Sequence, residues 1–172
     1  MFNYIKIFMI CLSCAFVVGC TTMNKPEMVK AKTIKTGKIS KQEKIASAPK
    51  GSVKYKVLHY AQKMGVPKKL AVAIAQQESG MKCHVIGGAG EIGPLQIKYP
   101  SAKMLGYTGG YKSLRNNCDL QIRWGMQHLL VAYKRSNHSL WATAYRHNSG
   151  PYAKFLTLKG AKTYANQVMA RM

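Results

Sequence analysis

The sequence predicts an all-α, or mainly α-helical, domain over residues 51–172. Apolar residues recur there at helical spacing in several segments, and no segment shows the alternation that marks a half-buried strand. Roughly 120 residues with this pattern can form one compact domain around a single core. No internal repeat is visible in the sequence.

Capping residues predict the ends of the first two helices. Ser52 can accept a hydrogen bond from the start of one helix, and Gly65 can end it in a left-handed conformation. Pro67 suits the first turn of a second helix, because its missing N–H is not needed there. The apolar run of this second helix continues to Glu78 and stops at Gly80.

Four more helices are predicted in the rest of the domain. Their expected positions are residues 100–105, 119–133, 140–145 and a last segment from about residue 161. Segments 87–94 and 107–111 contain several glycines and are predicted to be loops, and residues 148–151 are predicted to break the fifth helix.

The first 20 residues predict a bacterial export signal. Lys6 provides a positive start, and the apolar run Ile7–Val18 is short for a membrane span. The aliphatic and small residues before Cys20 resemble a lipobox, after which this cysteine would carry acyl chains. Thr21 then favours an outer-membrane lipoprotein that faces the periplasm. The alternative is a plain signal peptide with an incidental cysteine.

Charge and composition change after the signal. Residues 21–50 contain eight lysines and few large apolar side chains, so they predict a disordered tether. The domain at residues 51–172 carries 18 basic and three acidic side chains, a net charge of +15. Such a charge predicts a polyanionic neighbour. With an export signal, the bacterial wall or an anionic membrane fits better than nucleic acid, for which no binding signature is present.

Cysteine usage agrees with export. Three of the five cysteines lie in the signal or at the predicted lipidation site, which leaves Cys83 and Cys118 in the domain. An even pair in an oxidising compartment predicts one disulfide, which closes a loop of roughly 35 residues. Two buried free thiols are the alternative.

Glu78 is the strongest candidate for a catalytic residue. The chain has only five carboxylate side chains, and this one ends the apolar run that begins at Leu70. Burial and the partial negative charge of a helix C-terminus both favour the protonated form of a carboxyl. A carboxyl in this setting can act as a general acid near neutral pH. The alternative is an exposed glutamate that pairs with Lys82.

Three motifs occur in a recognisable order: Glu78-Ser79-Gly80, then Gly90 to Ile97, then Asn148-Ser149-Gly150. Over about residues 55–170 the chain resembles the catalytic domain of bacterial lytic transglycosylases of the soluble-transglycosylase type, relatives of goose-type lysozyme. The family pattern is Glu-Ser at a helix end, then Gly-x-x-Gly-Leu-Met-Gln, then Ala-Tyr-Asn-x-Gly. The resemblance implies a compact, lysozyme-like helical domain with the catalytic Glu78 at a helix C-terminus.

Some residues depart from the family pattern. Pro94 stands where Leu is usual, and His147 stands where the third motif has Tyr. Tyr145 lies two residues earlier, and its role as a substitute stays open. In the segment from Cys118 to Gly125, which resembles a helix start of the family, Gln replaces Asn. Glu91 fills a variable position and is interpreted as an exposed, non-catalytic loop residue.

The resemblance implies a peptidoglycan lytic transglycosylase that needs a single carboxylate. Glu78 would protonate the oxygen between N-acetylmuramic acid and N-acetylglucosamine, then take the proton of the muramoyl C6 hydroxyl, which gives a 1,6-anhydro product. Ordinary glycosidases use two carboxylates. Besides Glu78 the domain has only Glu91 and Asp119, and helix capping accounts for Asp119. A lysozyme-like hydrolase and a non-catalytic wall-binding lipoprotein remain as alternatives.

The resemblance implies that four further residues bind the glycan: Ser79, Gln96, Asn148 and Tyr164. The last of these matches a Tyr that the family keeps near the catalytic Glu. Each residue also has a structural alternative. Ser79 could cap its helix end, Gln96 could fix the loop, Asn148 could hold a turn and Tyr164 could pack in the core. The five histidines show no metal-ligand spacing, so neither a metal nor a cofactor is expected. The pattern does not distinguish an enzyme of wall turnover from one that opens a gap for a secretion or conjugation machine.

Overall fold

The computed structural model describes residues 48–153 and 158–172. This part is mainly helical, as predicted, with seven helices and one short hairpin. Its elements are α1 (Val53–Met64), α2 (Lys68–Ser79), β1 (Glu91–Ile92), β2 (Ile97–Lys98), α3 (Tyr99–Met104), α4 (Tyr111–Asn116), α5 (Cys118–Arg135), α6 (Leu140–Ser149) and α7 (Lys159–Ala170). None of these helices is long and apolar enough to cross a membrane.

The predicted export signal at residues 1–20 lies outside the described residues. So does the predicted tether up to residue 47. Of the tether, the structure describes only residues 48–50, where Ala48 is buried.

Helix α1 begins and ends where its capping residues predict, and α2 ends at its predicted cap. Helix α2 begins at Lys68, so Pro67 is its N-cap and not a residue of its first turn. The Ser52 hydroxyl accepts a hydrogen bond from the backbone N–H of Tyr55 at 3.2 Å. Gly65 and Gly80 end the two helices with φ of 72° and 61°, in the left-handed region that favours glycine. The second cap matters for function, because it fixes the end of the helix that carries Glu78.

The main core lies where α2, α5, α6 and α7 meet. Its largest fully buried side chains include Leu70 and Ile74 of α2, Ile122 and Met126 of α5, and Tyr145 of α6. Helix α2 packs against α1 and α7, and α6 packs against α5 and α7. This arrangement brings the C-terminal ends of α2 and α6 close to the middle of α7.

A short hairpin occupies part of the segment that was predicted to be a loop. Strands β1 and β2 are antiparallel, with Ile92 paired with Ile97. Strands of two residues are too short to show alternation in a sequence, so the prediction of a loop was wrong here. The turn begins at Gly93, with φ of 76°, where a Cβ atom would collide with the side chain of Gln121. Both isoleucines are buried in a second, smaller core cluster.

One helix of the structure was not predicted, and another is longer than predicted. Helix α4 begins at Tyr111, where a loop was expected to end, and it is held by the buried Leu114. Helix α6 continues through Asn148 to Ser149, although a break was predicted there. The Ser149 hydroxyl donates to the Tyr145 carbonyl at 2.9 Å, inside the last turn, so this serine is accommodated in the helix. Gly150 follows it as the C-cap.

The N-terminus of α5 also differs in its cap. Asn117, not Asp119, is the N-cap, and its side chain accepts a hydrogen bond from the Leu120 N–H at 3.1 Å. Asp119 lies in the first turn of α5, where a negative charge is favourable, and it pairs with Lys56 of α1 at 3.0 Å. The capping role predicted for Asp119 was therefore wrong.

Cys83 and Cys118 form a disulfide, as predicted, with their Cα atoms 5.4 Å apart. The bond joins the segment that follows α2 to the first residue of α5. It therefore encloses the hairpin, α3 and α4 in one covalent loop.

Candidate active site

A polar cleft of about 410 Å³ lies between the C-terminal end of α2, the hairpin, α5 and the C-terminal end of α6. The residues that line it include Glu78, Gln96, His128, His147 and Asn148. Three of these are predicted site residues that are far apart in the sequence. The fold therefore brings the first, second and third motifs to one cavity.

Glu78 lies in the last turn of α2, and its side chain is 18% exposed. The Tyr164 hydroxyl of α7 donates to Glu78 Oε1 at 2.6 Å. His147 Nε2 of α6 lies 3.4 Å from the same oxygen. Both contacts converge on Oε1, and Oε2 has no hydrogen-bond partner among the described residues. The carboxyl is therefore held by one oxygen and open at the other.

Tyr164 is buried against Glu78, with 8% of its surface exposed. Burial raises the pKa of its phenol, and the negative charge of Glu78 and the hydrogen bond to it raise the pKa further. The phenol therefore stays protonated and acts as a permanent donor. The predicted site residue Tyr164 thus contacts Glu78 directly and is also part of the core.

A histidine pair extends the contacts of Glu78 into α5. His147 is nearly buried, with 4% of its side chain exposed, and its Nδ1 lies 3.4 Å from Nδ1 of His128. The two rings meet edge to face, with centroids 5.2 Å apart. Burial, followed by the effect of a charge on His147, lowers the pKa of His128 to about 3. His128 is therefore neutral in any physiological medium.

This pair was missed as a functional element in the sequence. His147 was noted only as a departure from the third motif, and Tyr145 was kept as a possible substitute. The structure places Tyr145 fully buried and stacked on Trp141, with ring centroids 5.7 Å apart. His147, at the family position itself, is the residue that reaches Glu78. Its place in the third motif was the available signal, whereas nothing marked His128.

Glu91 also lines the cleft, in strand β1, with its side chain 24% exposed. The interpretation as an exposed loop residue was therefore wrong about its place. Lys98 Nζ lies 3.2 Å from Oε1, and the Ala89 N–H donates to Oε2 at 3.0 Å. Burial raises the pKa of Glu91, but these two donors and its own backbone N–H outweigh that effect and lower it. Glu91 is thus held as an anion and is unsuited to be an acid.

Gln96 lies at the turn of the hairpin and lines the cleft. Its backbone has φ of 45°, which is unusual for a residue with a side chain. Its side-chain Nε2 donates to the carbonyls of Gly93 at 2.8 Å and Val85 at 3.3 Å. The amide nitrogen therefore fixes the turn. A contact between Gln96 and the glycan stays a prediction.

Ser79 and Asn148 differ in their exposure to the cleft. Ser79 donates to the Pro94 carbonyl at 3.2 Å and accepts from the Lys82 N–H at 3.1 Å, so it joins the end of α2 to the hairpin turn. It is not among the residues that line the cleft. Asn148 is exposed at the end of α6 and does line it. The substrate-binding roles predicted for both residues stay predictions.

The fold and this site define a class of enzyme. The helical domain, with Glu78 at a helix end and facing a polar cleft, agrees with a lysozyme-like fold and its catalytic cleft. The chain belongs to the transglycosylase SLT domain family, which it matches over residues 56–169. That match spans both the end of α2 with Glu78 and most of α7 with Tyr164.

The fold is also similar to a solved structure. That structure is the X-ray structure of the lytic transglycosylase Slt from Pseudomonas aeruginosa, in an inactive mutant with glutamine in place of a glutamate. The two share 18% sequence identity and a TM-score of 0.58, over 67% of this chain and 22% of that one. The chain therefore spans about a fifth of the length of that protein. At this identity, the likeness concerns the fold.

Proposed function

We propose that the domain cleaves peptidoglycan glycan strands as a lytic transglycosylase, with Glu78 as its single acid and base. The observation that carries this proposal is the contrast between the three carboxylates of the domain. Both oxygens of Glu91 are engaged, by Lys98 and by the Ala89 N–H. Asp119 pairs with Lys56 and does not line the cleft. Glu78 lines the cleft with one oxygen unengaged by the described residues.

A single carboxylate is sufficient for this reaction. Protonated Glu78 gives its proton to the oxygen between N-acetylmuramic acid and N-acetylglucosamine, and the bond from muramoyl C1 to that oxygen breaks. The acetamido group of the substrate helps to stabilise the positive charge at C1. The C6 hydroxyl of the same sugar then attacks C1 and returns its proton to the Glu78 carboxylate. Glu78 thus regains the proton that it gave, and no water is consumed.

Tyr164 supports the charged intermediate state of Glu78. When the carboxyl has lost its proton, a donor at 2.6 Å forms a charge-assisted hydrogen bond, which is stronger than a neutral one. The raised pKa of Tyr164 keeps that donor in place throughout the cycle. Asn148, at the end of α6, and Gln96, at the hairpin turn, both line the cleft and are proposed to bind the sugars of the glycan.

The products of digestion test this function. We expect purified protein, incubated with peptidoglycan sacculi, to release muropeptides with 1,6-anhydro ends. Mass spectrometry identifies them, because an anhydro end is lighter than a reducing end by one water molecule. Reducing ends instead would show a lysozyme-like hydrolase. Intact sacculi that retain bound protein would show a non-catalytic wall-binding protein.

We further propose that Cys20 is lipidated and anchors the protein to the outer membrane, facing the periplasm. The residues before Cys20 support this proposal, since they resemble a lipobox. The disulfide between Cys83 and Cys118 agrees with an oxidising compartment outside the cytoplasm. The peptidoglycan substrate lies in the same compartment.

Membrane fractionation of a Cys20→Ser variant tests the anchor. Acyl chains contribute about 0.8 kcal/mol per buried methylene, so the native protein should require detergent for release. The variant should retain only the attraction of its basic residues for anionic surfaces. Salt near 1 M shortens the Debye length to about 3 Å, so it should wash the variant off. Release of the native protein by salt alone would reject lipidation.

A further inference from the structure

His147 has contacts that the proposed mechanism does not yet use. Its Nε2 lies 3.4 Å from Glu78 Oε1, and its Nδ1 lies 3.4 Å from His128 Nδ1. Both ring nitrogens therefore face a specific partner, although the side chain is almost completely buried. A buried imidazole with two directed contacts has a defined set of proton positions, which can be worked out from its partners.

The first partner, His128, is neutral, because its pKa is lowered to about 3. It therefore carries one ring proton. A hydrogen bond between two Nδ1 atoms requires that one of them donates and the other accepts. If His128 donates, His147 accepts at Nδ1 and its own proton is on Nε2. If His147 donates from Nδ1, its Nε2 carries a hydrogen toward Glu78 only when the His147 ring is doubly protonated.

The second partner, Glu78, selects between these arrangements. A carboxylate oxygen only accepts hydrogen bonds, so a bare Nε2 lone pair at 3.4 Å would repel it. While Glu78 is the carboxylate that forms after proton transfer, every arrangement that satisfies both contacts of His147 therefore places a hydrogen on Nε2. With a neutral His147, this requires that His128 donates from Nδ1.

We propose that His147 is a positioning residue for Glu78, and that His128 fixes its tautomer. The Nε2–H of His147, from α6, and the hydroxyl of Tyr164, from α7, hold the same oxygen Oε1 from two helices. This leaves Oε2 as the oxygen that carries the transferable proton toward the substrate. The inference rests on the proposed function of Glu78 and assigns a role to two residues that the function did not require.

Substitutions at His147 test the positioning role. His147→Phe keeps a ring of similar shape and removes both nitrogens. His147→Gln keeps an N–H the same number of bonds from Cα as Nε2. We expect the Phe variant to lower kcat about 10-fold, as the loss of a hydrogen bond to a charged group predicts, with KM within about twofold of the native value. The Gln variant should recover most of the lost kcat.

A substitution of His128 tests whether this residue fixes the tautomer of His147. His128→Phe leaves every contact of Glu78 in place but removes the donor to His147 Nδ1. We expect kcat to fall, but by less than in His147→Phe. Thermal unfolding of each variant checks that it is folded before its kinetics are compared. If His147→Phe does not fold, the Gln variant, the His128 variant and the spectroscopic measurement decide the matter.

Nitrogen-15 NMR of the full-length protein, labelled at histidine, reads the proton positions without any substrate. We expect His147 to carry a hydrogen on Nε2 and His128 to be neutral. A neutral His147 protonated only on Nδ1 would overturn the inference. Equal loss of kcat in the Phe and Gln variants would also overturn it, because the role would then be packing. Unchanged activity in both would do the same.

Failure of this inference is distinguishable from failure of the proposed function. If native protein releases no anhydro ends, the function fails, whereas the NMR measurement still reports the tautomer. If native protein releases anhydro ends and the His147→Phe variant is as active, only the positioning role fails.

Discussion

Replacing Glu78 by Gln should lower the release of anhydro muropeptides at least ~100-fold, the lower range for loss of general acid–base catalysis. The amide keeps the size of the side chain and its contacts to Tyr164 and His147 at one oxygen. It has no proton of suitable acidity to give to the glycosidic oxygen. The rate of release is measured by chromatography and mass spectrometry, and circular dichroism checks the fold.

Two matched carboxylate-to-amide changes provide the controls. Asp119→Asn removes a carboxylate that is exposed and paired with Lys56 outside the cleft, and such surface pairs contribute little to stability. It should leave the rate within about twofold of the native value. Glu91→Gln examines the second carboxylate of the cleft. A loss as large as that of Glu78→Gln would contradict the single-carboxylate mechanism and favour a hydrolase.

Replacing Cys83 and Cys118 by Ser together should lower the free energy of unfolding by about 2 to 5 kcal/mol. The disulfide closes a loop with a sequence separation of 35 residues, which reduces the conformational freedom of the unfolded chain. Denaturant unfolding followed by circular dichroism measures the change.

The native protein with and without reductant provides the control for the disulfide. Reduction should shift the native unfolding midpoint in the same direction as the double substitution, and it should leave the midpoint of the Ser variant unchanged. A native midpoint that does not respond to reductant would contradict the stabilising role of the bond. The loop also contains the hairpin wall of the cleft, so the Ser variant should lose activity at a lower denaturant concentration.

Much of the fold could be predicted because its signals are local. Gly65 and Gly80 end their helices through a backbone conformation that glycine adopts without strain, and that property is visible in the sequence. The hairpin could not be predicted in the same way. Its strands have two residues each, and Ile92 and Ile97 are placed by the cluster in which they are buried.

The same distinction between local signals and tertiary packing applies to the residues of the candidate site. Glu78 was identifiable from its rarity and its position at the end of an apolar helix, and Tyr164 from the family resemblance. The contact between His128 and His147 depends on how α5 and α6 pack. His147 lies in the third motif, but no pattern in the sequence indicates His128. Ser79 is also instructive. It is next to Glu78 in the sequence, yet its hydroxyl donates to the Pro94 carbonyl and joins α2 to the hairpin.

The burial of α2 has a mechanical consequence for catalysis. Five of its residues are buried, and three of them are alanines: Leu70, Ala71, Ala73, Ile74 and Ala75. Small side chains let neighbouring elements approach this helix closely, and a closely packed interior does not deform easily. Glu78 is therefore carried by a rigid helix rather than by a mobile loop. Displacements of about 1 Å can cost two orders of magnitude in rate. Substitutions that merely push α2 aside would therefore impair turnover while the domain still folds.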